Sequence, residues 1–468
     1  MGPKEESARG RILASLTGDL GRTLARTQQR EWTAAEILGA AAVLRPLFLI
    51  GKGTLGLAFR QPGFILAALL AAWGARRRLL LFDPGLKRET EALRRIHPDI
   101  FIYADAGASS QGRISVGEAL AESKPAVAPP AWLTLPAEDE PFVSLFTSGS
   151  GGENKVVDKV GLQFYRQAEA LAGVLALRQG SRVLSFVPPY HLLGFFYGLV
   201  LPLVQGGETV VATELTGAAM VELLAKYRPE LVVGTAIHYR FLVRATPTSP
   251  LPPSAKTAIY LCSGAPLDPA VAEGFASRFG TPVRDLYGST ELGGVAFRAW
   301  PDPYRPMPGV RWRIDAETAH LEVNSPWGGG AGGAEASWLA TDDAAESVGE
   351  GGFRLLGRLD HMVKVGGKRF SSVEVEHALR GMPGVAEAAV FPYLRYGEPA
   401  VAAVIAPEPG VVLSEPTARA FLAERLAAYK LPRSMVILER LPRGSHEKID
   451  YQALRALVTT QDTESLQG

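Results

Sequence analysis

A single cysteine, Cys262, in a chain of 468 residues excludes an intramolecular disulfide and a cysteine-based zinc site. A reducing cytoplasm is the expected compartment. An excess of charge is also missing. The formal net charge of +1 sets up no global field toward nucleic acid or an anionic membrane. The opening "MGPKEESARGRI" is polar, so no secretory leader is expected, and Glu6 stands where a myristoylation signal needs Ser or Thr. Long apolar runs are absent too. "FILAALLAAWGA" and "FFYGLVLPLV" fall short of the roughly 20 residues of a membrane helix, and they read as buried core. No internal repeat is present.

What is there is a long chain of ordinary globular composition, with 47% hydrophobic and 21% charged residues. Its length exceeds one compact core, so two or three domains are expected. Short apolar runs alternate with helical patterns: "LFLI" at 47–50, a helix from Pro62, "RRLLLF", "RVLSFVPP", "ETVVAT", "MVELLAKYRP", "ELVVGT" and "TAIYLCSG". That order predicts an α/β domain with a largely parallel sheet. "KPAVAPPAWLTLPAEDEP" marks a surface connection, and "SPWGGGAGGAEAS" a loop near 325–337. Beyond about residue 360 the shorter pieces "SSVEVEHALRGM", "VAEAAVFPY" and "AVAAVIAP" predict a small α+β domain of about 100 residues.

Four segments carry candidate chemistry. Gly51-x-Gly53-x-x-Gly56, with Asp83 closing the next strand, has the outline of a dinucleotide fingerprint. Pro62-Gly63 would break the helix such a loop needs, which leaves the glycines as a structural connection. In "SLFTSGSGGENKVV" an apolar strand runs into Thr147-Ser148-Gly149-Ser150-Gly151-Gly152-Glu153-Asn154-Lys155. Its glycines allow backbone N–H groups to converge on an anion, and its hydroxyls and Lys155 add donors. It is not a Walker loop, and a plain Gly/Ser turn is the competing reading. In "RDLYGSTELGG", Tyr287 can stack on a flat ring, Thr290 can donate to a phosphate and Glu291 can hold Mg²⁺; the alternative is a strand end turning through Gly288. Last, "GFRLLGRLDHMVKVGGKRFSSVEVE" places Arg358 and Asp360 at the domain junction and Gly366-Gly367 where a ligand could approach the backbone; a charged hairpin is the alternative.

In order and spacing, these segments resemble the adenylate-forming superfamily of acyl-CoA synthetases, aryl-CoA ligases and carrier-loading adenylation domains. The resemblance spans about residues 40–455. After the Thr147–Lys155 loop come "PPYHLLGF" with His191 and Gly194, then "CSGAPL" with Gly264, Ala265 and Pro266. Tyr287-Gly-Ser-Thr-Glu291, Thr341-Asp-Asp343, Gly357-Arg-Leu-Asp360 and "LPRGSHEKID" with Lys448 complete the series. The resemblance implies an α/β fold. A large N-terminal domain over 1–358, of layered α/β sheets with a small β-barrel, meets a hinge at 359–361 and a small mobile α+β domain over 362–468.

It also implies a two-step reaction. A carboxylate attacks the α-phosphate of ATP·Mg²⁺ to give acyl-AMP, and a thiol of coenzyme A then displaces AMP. Transfer to or from the phosphopantetheine of an acyl carrier protein is the alternative, and a catalytically degenerate nucleotide-binding scaffold is another. Thr147 to Gly152 and Lys155 would hold phosphates. Thr290 would meet the α-phosphate and Glu291 the metal. Gly264, Ala265, Pro266, Tyr287 and Gly288 would frame the adenine, and Asp343 would take the ribose beside Arg358. Lys448 would align the carboxylate with the α-phosphate. Asp360 matches the hinge. Lys364, Gly366 and Gly367 match the thiol tunnel, and Lys368, Arg369 and Arg433 are candidates for the CoA 3′-phosphate. The acyl pocket would draw on His191, Ala236, Ser263, Gly288 and Gly293, with His191 as gate or as an ordinary satisfied histidine. Cys262 reads as core or pocket wall. The expected acid is aromatic or of medium chain length.

Four residues depart from the family pattern. Gly151 and Asn154 replace a usual Thr and Pro in the phosphate loop, Asp342 replaces a Gly beside the ribose position, and Glu447 replaces a Gly before Lys448. Weaker use of ATP than in typical members is the expected consequence.

Overall fold

The computed structural model describes residues 7–83, 87–97, 99–105, 113–148, 154–245, 251–315, 318–328, 338–349, 351–365, 368–442 and 449–464. The chain forms two compact units, one of residues 1–311 with 323–339 and one of 312–322 with 340–468.

The first unit contains two sheets. In the six-stranded one the order is Arg113–Ser115, Phe101–Ala104, Leu55–Ala58, Leu79–Leu81, Pro141–Ser148, Asn154–Val160. The first five strands are parallel and the last returns antiparallel. Leu55–Ala58 and Leu79–Leu81 are buried along their whole length, as strands covered on both faces must be. The helix Pro62–Gly74 starts with its proline in the first turn and is apolar all round, so it is internal.

The run "LFLI" is not the strand its composition suggests. Leu47 and Phe48 end the helix Ala34–Phe48, and the strand begins only at Leu55. That helix is anchored by a reciprocal cap, in which Glu36 N–H donates to Thr33 Oγ1 at 3.2 Å and Thr33 N–H to Glu36 Oε2 at 2.8 Å. Its buried positions Ile37, Leu38, Ala41, Leu44 and Phe48 keep helical spacing to the end, past Pro46. A four-residue apolar run does not distinguish strand from buried helix. Gly51 and Gly53 therefore lead into a strand instead of joining strand to helix, which removes the dinucleotide arrangement. Arg77 Nη1 ties down this turn through the carbonyls of Phe48 and Gly51, at 2.7 and 2.8 Å.

The second sheet has nine strands, ordered Arg305–Pro306, Gly293–Ala299, Val283–Ser289, Ile259–Cys262, Leu231–Gly234, Arg182–Ser185, Glu208–Val211, Thr23–Arg26, Glu31–Thr33. Its interior, from Val283–Ser289 to Thr23–Arg26, is parallel. Its core includes Leu184, Phe186, Tyr239, Tyr260, Phe275 and Phe279. Phe275 and Phe279 stack at 3.9 Å, one helical turn apart. Cys262 is fully buried in the same core, and burial pushes its thiol well above the usual range, as an inert packing residue requires. The helix Gly161–Val174 and the wide-turned helix Leu193–Val200 bring Phe164, Phe195 and Phe196 together, with ring centroids 5.3–5.7 Å apart.

Most of the sheet Arg311–Ile314, His320–Asn324, Leu339–Val348, Gly352–Arg358 belongs to the second unit, which also carries the hairpin Met362–Val365 with Lys368–Ser371. A further sheet joins Val385–Arg395, Glu398–Pro407 and Ser434–Ile437. The helices Ser372–Arg380 and Glu415–Ala423 pack on one face of this last sheet through Val375, Leu379 and Leu422. The helix Tyr451–Glu464 packs on the other face through Leu454 and Val458. Among the described residues no helix is long and apolar enough to cross a membrane.

Candidate active site

The parallel interior of the nine-stranded sheet sends the carboxyl ends of its strands to one edge, where open α/β sheets bind ligands. Two neighbouring strands end there in candidate motifs. After Ile259–Cys262 come Ser263 and Gly264, and Val283–Ser289 ends in Gly288 and Ser289. Ser263 Oγ donates to Leu286 O at 2.8 Å, which fixes one loop on the next strand. Gly264 adopts a positive φ of 84°, which a side chain would oppose, and Gly264, Ala265 and Pro266 are exposed.

The turn between Val283–Ser289 and Gly293–Ala299 carries Thr290 and Glu291. It is narrow because Gly288 lies against Gly293, where a Cβ would come within 2.2 Å of Gly293 O. Leu292 N–H donates to Ser289 Oγ at 3.1 Å and closes it. Beneath it Asp285, almost fully buried, accepts from Arg298 Nε at 2.8 Å and from the Tyr304 hydroxyl at 2.6 Å. Tyr304 in turn packs on Tyr287, ring centroids 5.9 Å apart. A buried ion pair with its hydrogen bonds made thus supports the aromatic ring expected at the adenine.

A cavity of about 180 Å³ opens beside this turn. Ser263, Gly264, Gly288, Ser289, Thr290 and Gly293 border it, so five sequence-predicted residues (Ser263, Gly264, Gly288, Thr290, Gly293) meet around one space. Leu192, Leu193 and Phe196 line it too, from the segment that follows His191. His191 and Ala236 are not in the described lining. His191 is half exposed, with Nε2 3.9 Å from Asp83 Oδ2. Ala236 opens the helix Ala236–Ala245, where Thr235 N–H donates to Nδ1 of buried His238 at 3.0 Å.

Sequence reasoning missed the rest of the cavity lining, Lys159, Gln163, Phe164 and Gln167, with Tyr197 downstream of His191. Each of the three polar residues is about 5% exposed or less. Gln163 is held by Val160 N–H (2.9 Å) and by Trp327 O (3.1 Å), and Gln167 Nε2 donates to the Tyr197 hydroxyl at 2.8 Å. Lys159 Nζ donates to Glu291 O at 2.8 Å. Burial lowers this ammonium to about 8, and the charge of Glu291 resists the change. The signal was present as a lysine inside the apolar run "VVDKVG" and a glutamine pair four apart on an otherwise apolar helix face.

Thr147 and Ser148 end one strand, and Asn154 and Lys155 begin its antiparallel partner, Thr147 opposite Lys155. Gly149, Ser150, Gly151 and Gly152 lie outside the described residues, as do Gly366, Gly367, Glu447 and Lys448. In the second unit Asp343 and Arg358 sit opposite each other on adjacent strands, and Arg358 Nη2 pairs with Asp342 Oδ2 at 3.0 Å. Asp360 lies in the short turn Leu359–His361, and Lys364 is exposed on Met362–Val365. Among the described residues no cluster of three His, Cys, Asp or Glu is placed to hold a metal ion.

The chain matches the AMP-binding enzyme family over residues 66–329 and the AMP-binding enzyme C-terminal domain over residues 374–448. It belongs to the AMP-binding enzymes. It is 29% identical over 343 residues to a benzoate–CoA ligase of Thauera aromatica, covering 67% of this chain and 65% of that one. It is 28% identical over 357 residues to a fatty acid–[acyl-carrier-protein] ligase of Streptomyces coeruleorubidus, covering 68% and 67%. The chain thus spans about two thirds of the length of these relatives. Its fold matches that of o-succinylbenzoate–CoA synthetase from Bacillus subtilis in complex with its acyl-adenylate, with a TM-score of 0.79 at 20% identity, over 95% of this chain and 97% of that one.

Proposed function

We propose that the protein is an ATP-dependent acid–thiol ligase that makes an acyl-adenylate and then an acyl thioester of coenzyme A. The observation that carries this is the cavity bordered by Ser263, Gly264, Gly288, Ser289 and Thr290 at the carboxyl ends of parallel strands, in a chain of this family. Thr290 borders the cavity where an α-phosphate oxygen would accept its hydroxyl. Glu291, exposed beside it, offers the hard oxygen that Mg²⁺ takes together with nucleotide phosphates. Lys448 supplies the charge that brings carboxylate and phosphate together, and Thr147–Lys155 hold the phosphates. Asp343 takes the ribose, Asp360 serves as hinge, and the Lys364–Gly367 segment lines the thiol tunnel. Relatives named for benzoate and fatty acid support an aromatic or aliphatic acid. Mass spectrometry of acyl-AMP and acyl-CoA across a carboxylic-acid panel tests this; failure to form acyl-AMP from any acid overturns it.

A second reading, delivery to a carrier-protein phosphopantetheine, is favoured by the similarity to an acyl-carrier-protein ligase. Parallel assays with CoA and with holo-carrier proteins separate the two acceptors.

A further inference from the structure

The cavity lining mixes two kinds of side chain. Phe164, Leu192, Leu193 and Phe196 are apolar, whereas Lys159, Gln167 and Tyr197 are polar and buried. Lys159 is the unusual member. Its ammonium carries three N–H donors, and the one hydrogen bond it forms among the described residues goes to Glu291 O at 2.8 Å. No carboxylate among the described residues forms an ion pair with it. A hydrocarbon tail filling this space would leave the remaining donors without an acceptor.

Lys159 is also placed for the acyl side of the reaction. Four residues of extended strand separate it from Lys155 at the phosphate loop, about 13 Å. Lys159 thus lies away from the loop end of the strand, on the cavity lining with Gln167 and Tyr197.

We infer that the acid this protein activates carries a second oxygen acceptor on its acyl group (a hydroxyl, oxo or carboxylate oxygen) that accepts a hydrogen bond from Lys159 Nζ. This rests on the ligase reading above and narrows its substrate class. Lys159 acts as a specificity residue, and the Gln167–Tyr197 pair continues the polar lining.

The test is kcat/KM for acyl-AMP formation over matched acids: unsubstituted aliphatic and aromatic acids beside their hydroxy, oxo and carboxy analogues. The wild-type protein should prefer one oxygenated analogue by about 100-fold or more, as sites built to bond a substrate oxygen do. Lys159→Met, of similar length and apolar, should bring that ratio toward one, and Lys159→Arg should keep it. Unsubstituted acids used as well as every oxygenated analogue by the wild type would overturn the inference, and that arm needs no variant. So would an unchanged ratio in Lys159→Met, the result expected if Lys159 met the reacting carboxylate common to all the acids. Acyl-AMP from no acid at all overturns the ligase reading and takes this inference with it, whereas parity among acids that react overturns the inference alone.

Discussion

Lys159 Nζ donates to the main-chain carbonyl of Glu291 at 2.8 Å, so the strand Asn154–Val160 is tied to the turn that carries Thr290 and Glu291. Both partners lie on the border of one cavity or next to it. The contact fixes a backbone oxygen and leaves the Glu291 carboxylate exposed for other work. Lys159→Met should loosen the turn. A hydrogen bond from a charged donor contributes about 1.5–3 kcal/mol, so adenylation at saturating ATP should slow about tenfold or more, while Lys159→Arg retains most of the rate. Pyrophosphate release measures both.

Gly294 lies against two residues of the same cavity's lining. A Cβ there would come within 2.9 Å of the Tyr197 hydroxyl and 3.1 Å of Gln167 Nε2, both side-chain atoms on the cavity wall. Gly294→Ala should therefore push that wall inward. Bulky acids should lose about tenfold in kcat/KM, on the scale of one methylene in a tight pocket, and the KM for ATP should hold. An acid-size series in both proteins checks the direction.

His238 predicts a pH dependence of stability. It is buried against Phe186, and burial lowers it to about 4, so the folded protein keeps the ring neutral while Nδ1 accepts from Thr235 N–H. The unfolded chain takes up that proton at an ordinary pKa of about 6.5. Between about 6.5 and 4 the unfolded state binds more protons, so stability falls as pH falls and is level, for this group, above 6.5. The total is of order 3 kcal/mol. Urea midpoints from pH 4 to 8 should show this slope, and His238→Gln should flatten it.

If Lys448 has the role proposed for it, Lys448→Ala should abolish acyl-AMP formation and leave thiolysis of supplied acyl-AMP largely intact, because its charge would align two anions. Separate assays of the two half-reactions check it. Loss of both steps, or of neither, would refute the assignment. Glu447→Gly should raise the first step by removing a negative charge beside the lysine.

Much of the local structure is legible in the residues themselves. The helix from Pro62, the runs "RVLSFVPP", "ETVVAT", "ELVVGT" and "TAIYLCSG", and the later α+β pieces all carry periodic or punctuating signals, and all form the elements they suggest. "LFLI" misleads because four apolar residues carry no period of their own, and the cap at Thr33 that settles the matter lies fourteen positions upstream of Leu47. Asp342 reads in the sequence as an intruding carboxylate at the nucleotide. In the fold it holds Arg358, since strand pairing sets the two within reach.

The amino-acid sequence determined the family, the order of its motifs and the local structure of most elements, because turn residues, caps and apolar spacing act over a few residues. The tertiary structure alone decided that Lys159, Gln163 and Gln167 share a cavity with Thr290 and Gly293. Those two groups of residues lie more than a hundred positions apart in the chain. A buried lysine has no local signature beyond its apolar neighbours; its meaning comes from the carbonyl it reaches and the water it has lost.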